Sequence, residues 1–219
     1  MPLKVSPSII AGDQARLGDE VRAIEAAGAD MVHLDVMDGH FVPNLTLGPG
    51  IVKDLRPHAR LVFDCHLMLS EPGRYVEAFA GAGADRISIH VEVPGAADVL
   101  RAIRALGKAP GLALNPDTPP DDAVRLAADV DFFLVMTVHP GFYGQKMIAE
   151  TLDKIGLLVQ TMRALGRDPA VQVDGGVTPE NAGRIEAAGA TEVVAGAAVF
   201  RAADYRQAIE ALRRGTRDR

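Results

Sequence analysis

The sequence predicts one α/β domain spanning residues 1–219, a parallel eight-stranded (β/α)8 TIM barrel. Three observations predict it. Short β-rich runs alternate with longer Ala/Leu/Arg/Glu-rich runs along the whole chain, the pattern of a parallel sheet covered by helices. Eight such pairs in 219 residues leave about 27 residues per pair, the size of one compact βα step. Ala-Gly-Ala recurs at 27–29, 82–84 and 188–190, where a left-handed glycine can end a helix just before a strand begins. The alternative, an open doubly wound sheet, lacks the G-x-G-x-x-G expected after its first strand.

In order, the first strand is expected near 3–9 and its helix near 14–27, followed by a strand near 30–37 and a helix near 48–56. A third strand near 60–68 precedes a helix near 72–82, and a fourth near 85–92 precedes one near 96–106. The fifth and sixth pairs fall near 109–115 with 120–128, and 131–138 with 148–165. The last two pairs are 170–174 with 179–188, and 191–196 with 203–213.

Composition narrows the function classes. A hydrophobic content of 48% supports a large core and argues against disorder. A net charge of −6 argues against nucleic acid as a partner, while leaving room for a locally positive anion pocket. Cys65 is the sole cysteine, so neither an intrachain disulfide nor a cysteine-based zinc site is expected. No secretory signal and no apolar run near 20 residues is visible, so a cytoplasmic protein without membrane partners is expected.

Side-chain alternation then locates the chemistry, because alternate residues of a barrel strand point inward. The second strand places Met31, His33, Asp35 and Met37 on one face, and Val32, Leu34 and Val36 on the face that packs on helices. In the third strand Val62, Asp64, His66 and Met68 share a face, and in the seventh Gln172 and Asp174 do. His33, Asp35, His66 and Asp174 therefore converge near the C-terminal ends of three strands, where barrel active sites lie. Two imidazoles and two carboxylates buried together need compensation, and one divalent metal ion (zinc, iron, manganese or cobalt) would supply it. His90, on the same face as Ser88 and Glu92, reads as a supporting or structural group. Met37, Met68 and Met136 either line a pocket or fill core. Glycine turns end the last three strands, at Gly141-Phe142-Tyr143-Gly144-Gln145, Gly175-Gly176 and Gly196-Ala197, where barrels often bind phosphate.

The motif His33-Leu34-Asp35-Val36-Met37-Asp38-Gly39-His40-Phe41-Val42-Pro43-Asn44 resembles the signature of ribulose-phosphate 3-epimerases. So do Ser6-Pro7-Ser8-Ile9, His66-Leu67-Met68, Leu114-Asn115-Pro116, Met136-Thr137-Val138-His139-Pro140-Gly141-Phe142 and Val173-Asp174-Gly175-Gly176, all in family order. The resemblance implies interconversion of D-ribulose 5-phosphate and D-xylulose 5-phosphate, with His33, Asp35, His66 and Asp174 as metal ligands. It further implies that Asp35 and Asp174 are the acid/base pair, that Ser8, His66 and the methionines contact the sugar, and that the glycine turns hold its phosphate. A homo-oligomer is common in such a family. Two positions depart from the pattern: Tyr143 stands where a glycine is usual, and Ala197 where a serine often follows Gly196.

Those departures keep open a 3-epimerase of another ketose phosphate, such as D-allulose 6-phosphate. A metal-dependent hydrolase barrel commonly starts with His-x-His, where this first strand offers Ser6 and Ser8. An orotidine-monophosphate-decarboxylase-like barrel would need a lysine that His33-Leu34-Asp35-Val36-Met37-Asp38 lacks. A non-catalytic sugar-phosphate-binding barrel would not need an acid on each face of its ligand.

Overall fold

The computed structural model of the chain describes residues 2–215. Eight strands run β1 Lys4–Pro7, β2 Met31–Met37, β3 Val62–Met68, β4 Arg86–His90, β5 Ala109–Leu114, β6 Phe132–Met136, β7 Ala170–Asp174 and β8 Glu192–Ala195. They form one sheet in the order β1-β8-β7-β6-β5-β4-β3-β2, parallel throughout. The ring closes where β1 meets β2. There Ser8 and His33 form a parallel bridge, and the Val5 N–H donates to the Asp30 carboxylate at 2.8 Å. The expected (β/α)8 barrel is what forms.

Helices α1 Leu17–Ala26, α2 Pro49–Leu55, α3 Val76–Ala82, α4 Ala96–Ala105, α5 Pro120–Val124, α6 Thr151–Ala164 and α7 Pro179–Ala187 follow the first seven strands. After β8 come α8 Ala197–Phe200 and α9 Tyr205–Arg214. The four-residue α8 was not expected, because one turn is too short for hydrophobic periodicity to reveal. The fifth helix is shorter than 120–128: it stops at Val124, and a 3-10 turn, Ala127–Asp129, carries the chain on toward β6. Gly28, Gly83 and Gly189 all take positive φ, as the Ala-Gly-Ala repeat implied.

Two shells of packing hold the barrel. Outside, Val32, Leu34 and Val36 are buried under the helices, and α4 contributes Ala96, Leu100 and Ile103 to the same core. Inside, the N-terminal half of the barrel is filled by buried polar side chains. Arg86 Nε donates to Asp64 Oδ1 at 3.1 Å, and its Nη1 lies 2.8 Å from Glu192 Oε2. Gln172 Nε2 donates to Asp64 Oδ2 at 2.8 Å, while the Arg86 guanidinium lies 3.5 Å over the Phe132 ring. Gly111 makes room for that stack: a Cβ there would sit 2.1 Å from the ring. Among the described residues no helix is long and apolar enough to cross a membrane.

Candidate active site

The C-terminal half of the barrel interior carries the chemistry. Seven buried residues of β2 point alternately in and out, which aims His33 and Asp35 inward together. The β2–β3 register sets Asp35 beside His66, and β7 ends on Asp174. One ligating atom from each of His33, Asp35, His66 and Asp174 lies within 4.8 Å of all the others. His33 Nε2 stands 3.3 Å from Asp35 Oδ1 and 3.9 Å from Asp174 Oδ2, while His66 Nδ1 is 3.3 Å from Asp35 Oδ1. The Ser8 hydroxyl donates to the other Asp35 oxygen at 2.5 Å.

The donor set fits a divalent cation. His33 Nε2 is buried, aimed at two carboxylates and hydrogen-bonded to neither. Its other nitrogen, Nδ1, lies 3.0 Å from Asp64 Oδ2, which orients the ring with Nε2 inward. Two imidazole nitrogens and two carboxylates suit zinc, iron, manganese or cobalt.

Charge is unevenly shared across the site. Burial works to raise the Asp35 pKa, but the His33 and His66 rings outweigh it and hold this carboxyl well below the usual range. Burial and the negative Asp35 push Asp174 the other way, up to about 7. Burial disfavours the His33 cation, yet Asp35 and Asp64 raise its pKa well above the ordinary value. Burial brings His66 down to about 4. Without a cation, then, Asp35 is ionised and Asp174 retains a proton near neutrality.

A pH-stability prediction follows for metal-free protein. Asp174 titrates higher when folded than its ordinary 3.8, so its stabilising protonated form is fully present below that value. The contribution is lost as pH rises toward about 7. Metal-free Asp174→Asn keeps the shape of the protonated acid, so its Tm is expected to gain on the wild type as pH rises from 4 to 8. Parallel Tm-against-pH curves for the two proteins would contradict this.

Above the four residues lies a cavity of about 630 Å³. Ser8, Asp35, Asp174, Met37, Met68 and Met136 form its floor, with His33 and His66 fully buried beneath. Gly141, Phe142, Tyr143 and Gly144 of the loop after β6 line one side. Gly175, Gly176, Gly196 and Ala197 line another. The expected site residues are thus brought to one place, with His66 behind the floor rather than in the cavity wall.

The turn after β7 admits only glycine. Gly176 has φ +66°, and a Cβ there would come within 2.4 Å of the Met147 backbone nitrogen. Thr137 Oγ1 donates to the Gly175 carbonyl at 2.5 Å and Asn181 Nδ2 to the Gly176 carbonyl at 2.8 Å, which pins the turn from both sides. The β6 loop is tethered at its base by Asn44 Nδ2, which donates to the Gly141 carbonyl at 2.7 Å. Gln145 folds the loop on itself by donating to the His139 and Phe142 carbonyls at 2.8 and 2.9 Å. Phe142 and Tyr143 remain exposed.

Sequence reasoning passed over several contributors. Lys146, Arg184 and Arg201 line the cavity, and among the described residues their side chains have no ion-pair or hydrogen-bond partner. No local signal marks Arg184, on α7, or Arg201, in the turn just after α8. Asp64 was placed on the inward face of β3, but its role as the partner of His33 depends on the barrel closing. His90, read as supporting, is hydrogen-bonded to His66.

Comparison with known proteins gives the family of the chain. Residues 4–200 match the family model described as the ribulose-phosphate 3 epimerase family. A ribulose-phosphate 3-epimerase of Synechocystis sp. is 49% identical over 97% of this chain and 94% of its own. That of Bacillus subtilis is 46% identical over 96% and 98%. Among solved structures, orotidine 5'-phosphate decarboxylase from Pyrococcus horikoshii shares the fold alone, at a TM-score of 0.70 and 16% identity over 98% of this chain and 100% of that one. The 3-hexulose-6-phosphate synthase from Salmonella typhimurium does likewise, at 0.67 and 16% over 97% of each chain.

Proposed function

The chain belongs to the ribulose-phosphate 3-epimerase family, and from that premise we propose that it interconverts D-ribulose 5-phosphate and D-xylulose 5-phosphate by inversion at C3. Asp35 and Asp174 act as base and acid, and His33, Asp35, His66 and Asp174 hold one divalent cation. The observation that carries this reading is the placement of two carboxylates, Asp35 and Asp174, together with His33 and His66 at one end of a single cavity.

Epimerisation beside a ketone removes a proton from one face of C3 and returns one to the other, through an enediolate. Asp35, ionised and steadied by the Ser8 hydroxyl, takes the proton. Asp174, whose carboxyl Asp35 and burial push toward the protonated form, delivers one from the other side. In the reverse direction the roles exchange. When bound, the divalent cation supplies Lewis-acid stabilisation of the negative charge that develops on the substrate. The apolar side chains of Met37, Met68 and Met136 on the floor exclude water from the reacting carbon and strengthen the electrostatics around it.

The phosphate is taken at the opposite side of the cavity, by the backbone of Gly175–Gly176 and Gly196–Ala197, with Arg184, Arg201 and Lys146 at the rim. The β6 loop, Gly141 to Gln145, serves as the lid. Arg201→Gln is expected to raise KM about fivefold, ~1 kcal/mol, with kcat nearly unchanged, since an exposed guanidinium binds ground and transition state alike. An unchanged KM would remove Arg201 from the phosphate grip.

The test of the reaction is incubation of metal-loaded protein with D-ribulose 5-phosphate in D2O, followed by NMR. Deuterium at C3 of xylulose 5-phosphate is the expected product. The absence of exchange would overturn the assignment. A second reading, the same inversion on D-allulose 6-phosphate, draws on Ala197, which brings no hydroxyl to the cavity wall. Faster exchange on the six-carbon substrate would establish it.

A further inference from the structure

We infer that His90 and Glu92 are a positioning pair that sets the tautomer of His66, so that its Nδ1 lone pair, and not Nε2, is offered to a cation. The inference rests on the metal reading above and adds to it the device that selects the ligating nitrogen.

The chain of contacts starts outside the four ligands. Glu92 Oε1 accepts from the Asn115 N–H at 2.9 Å and from the Thr118 hydroxyl. Its other oxygen faces His90 Nδ1 at 3.0 Å. A carboxylate whose one oxygen already accepts from an N–H and a hydroxyl presents its other oxygen as a further acceptor. The hydrogen of the Glu92–His90 bond therefore sits on His90 Nδ1.

His90 Nε2 lies 2.9 Å from His66 Nε2. Two bare nitrogens at that distance repel, so one hydrogen lies between them. On the metal reading Nδ1 is the nitrogen of His66 that ligates, because it faces the Asp35 carboxylate in the ligand cluster while Nε2 faces outward to His90, so the hydrogen between the two rings belongs to His66. Its Nδ1 is then a lone pair, 3.3 Å from Asp35 Oδ1. A lone pair facing an ionised carboxylate at this distance is favourable only around a shared cation. His33 has the same arrangement in shorter form, with Asp64 directly on its outer nitrogen. Both histidines thus have an outer carboxylate, one direct and one relayed, and such partners commonly set the ligand tautomer.

Neither His90 nor His66 is exposed, and the Phe41 ring lies 4.7 Å from the His90 ring. Bulk water is therefore kept from substituting for either partner. The relay has no part in holding the sugar, because neither His90 nor Glu92 lines the cavity.

Long-range 1H–15N correlation spectra of zinc-loaded protein test the tautomer without any substitution. The expected result is a zinc-bound Nδ1 and a protonated Nε2 on His66, with hydrogen on Nδ1 and none on Nε2 of His90. Zinc bound through His66 Nε2 would overturn the inference. Chelator competition tests the energetic role. His90→Phe is expected to weaken zinc binding about 10- to 100-fold. His90→Gln, whose amide carbonyl can accept from His66 Nε2, should recover most of that loss. A purely structural role would instead lower the Tm of the metal-free protein while leaving zinc affinity within threefold of wild type for both variants, and that result would also overturn the inference. If the wild type takes up no zinc, manganese, iron or cobalt, the metal reading itself fails. If it binds metal but His90→Phe binds equally well, only the relay fails.

Discussion

Asp174→Asn, loaded with metal and assayed on D-ribulose 5-phosphate, is expected to lose about 10³-fold or more in kcat and to incorporate no deuterium at C3. Asparagine keeps the side chain's size and one oxygen but can neither accept nor give back a proton. Asp35→Asn should be at least as damaging, because Asp35 also accepts from Ser8 and faces both His33 and His66. Both residues belong to the proposed ligand set, so lost activity alone would be ambiguous. Zinc affinity measured beside kcat separates the roles. A variant that still binds zinc at saturating concentration yet fails to exchange has lost the proton transfer. If either variant retains more than a tenth of the wild-type kcat, the two-aspartate mechanism is wrong.

Arg86→Met carries the second large effect, this time on stability. The guanidinium lies between the Asp64 and Glu192 carboxylates inside the barrel, and a neutral thioether leaves both deeply placed charges short of a cation. Removing one member of such a buried set costs about 3–5 kcal/mol. For a domain of this length that is a fall in Tm on the order of 10 °C. Chemical denaturation with the metal-free protein is the clean measurement, since bound metal would add its own stabilisation. A loss below 1 kcal/mol would mean that Lys4, His33 and Gln172 alone satisfy the two carboxylates. The variant should also weaken metal binding, because Asp64 orients His33.

Much of the site was legible because a strand's period is two and needs no knowledge of the rest of the fold. His33 with Asp35, and Asp174 at the end of β7, follow from alternation within single strands. The glycine turns were equally readable, since a left-handed φ such as that of Gly176 leaves the sequence few choices. What alternation does not give is who stands opposite whom. Gln172 and Asp64 are 108 positions apart along the chain, yet they share a hydrogen bond. Arg86 on β4 reaches Glu192 on β8 across the barrel interior.

By itself the sequence determined the eight βα units, the inward faces of the second, third and seventh strands, the four candidate metal ligands and the resemblance to one family, all from local periodicity and short motifs. Closure of the barrel decided the rest. It put the cations Arg184 and Arg201 at the rim of the cavity, and it shut His66 beneath the floor against His90. It also set the Asp35 and Asp174 pKa values in opposite directions. The physical reason is that desolvation and Coulomb interactions depend on distances through space, and residues far apart in sequence acquire those distances only when β1 meets β2 and the ring is complete.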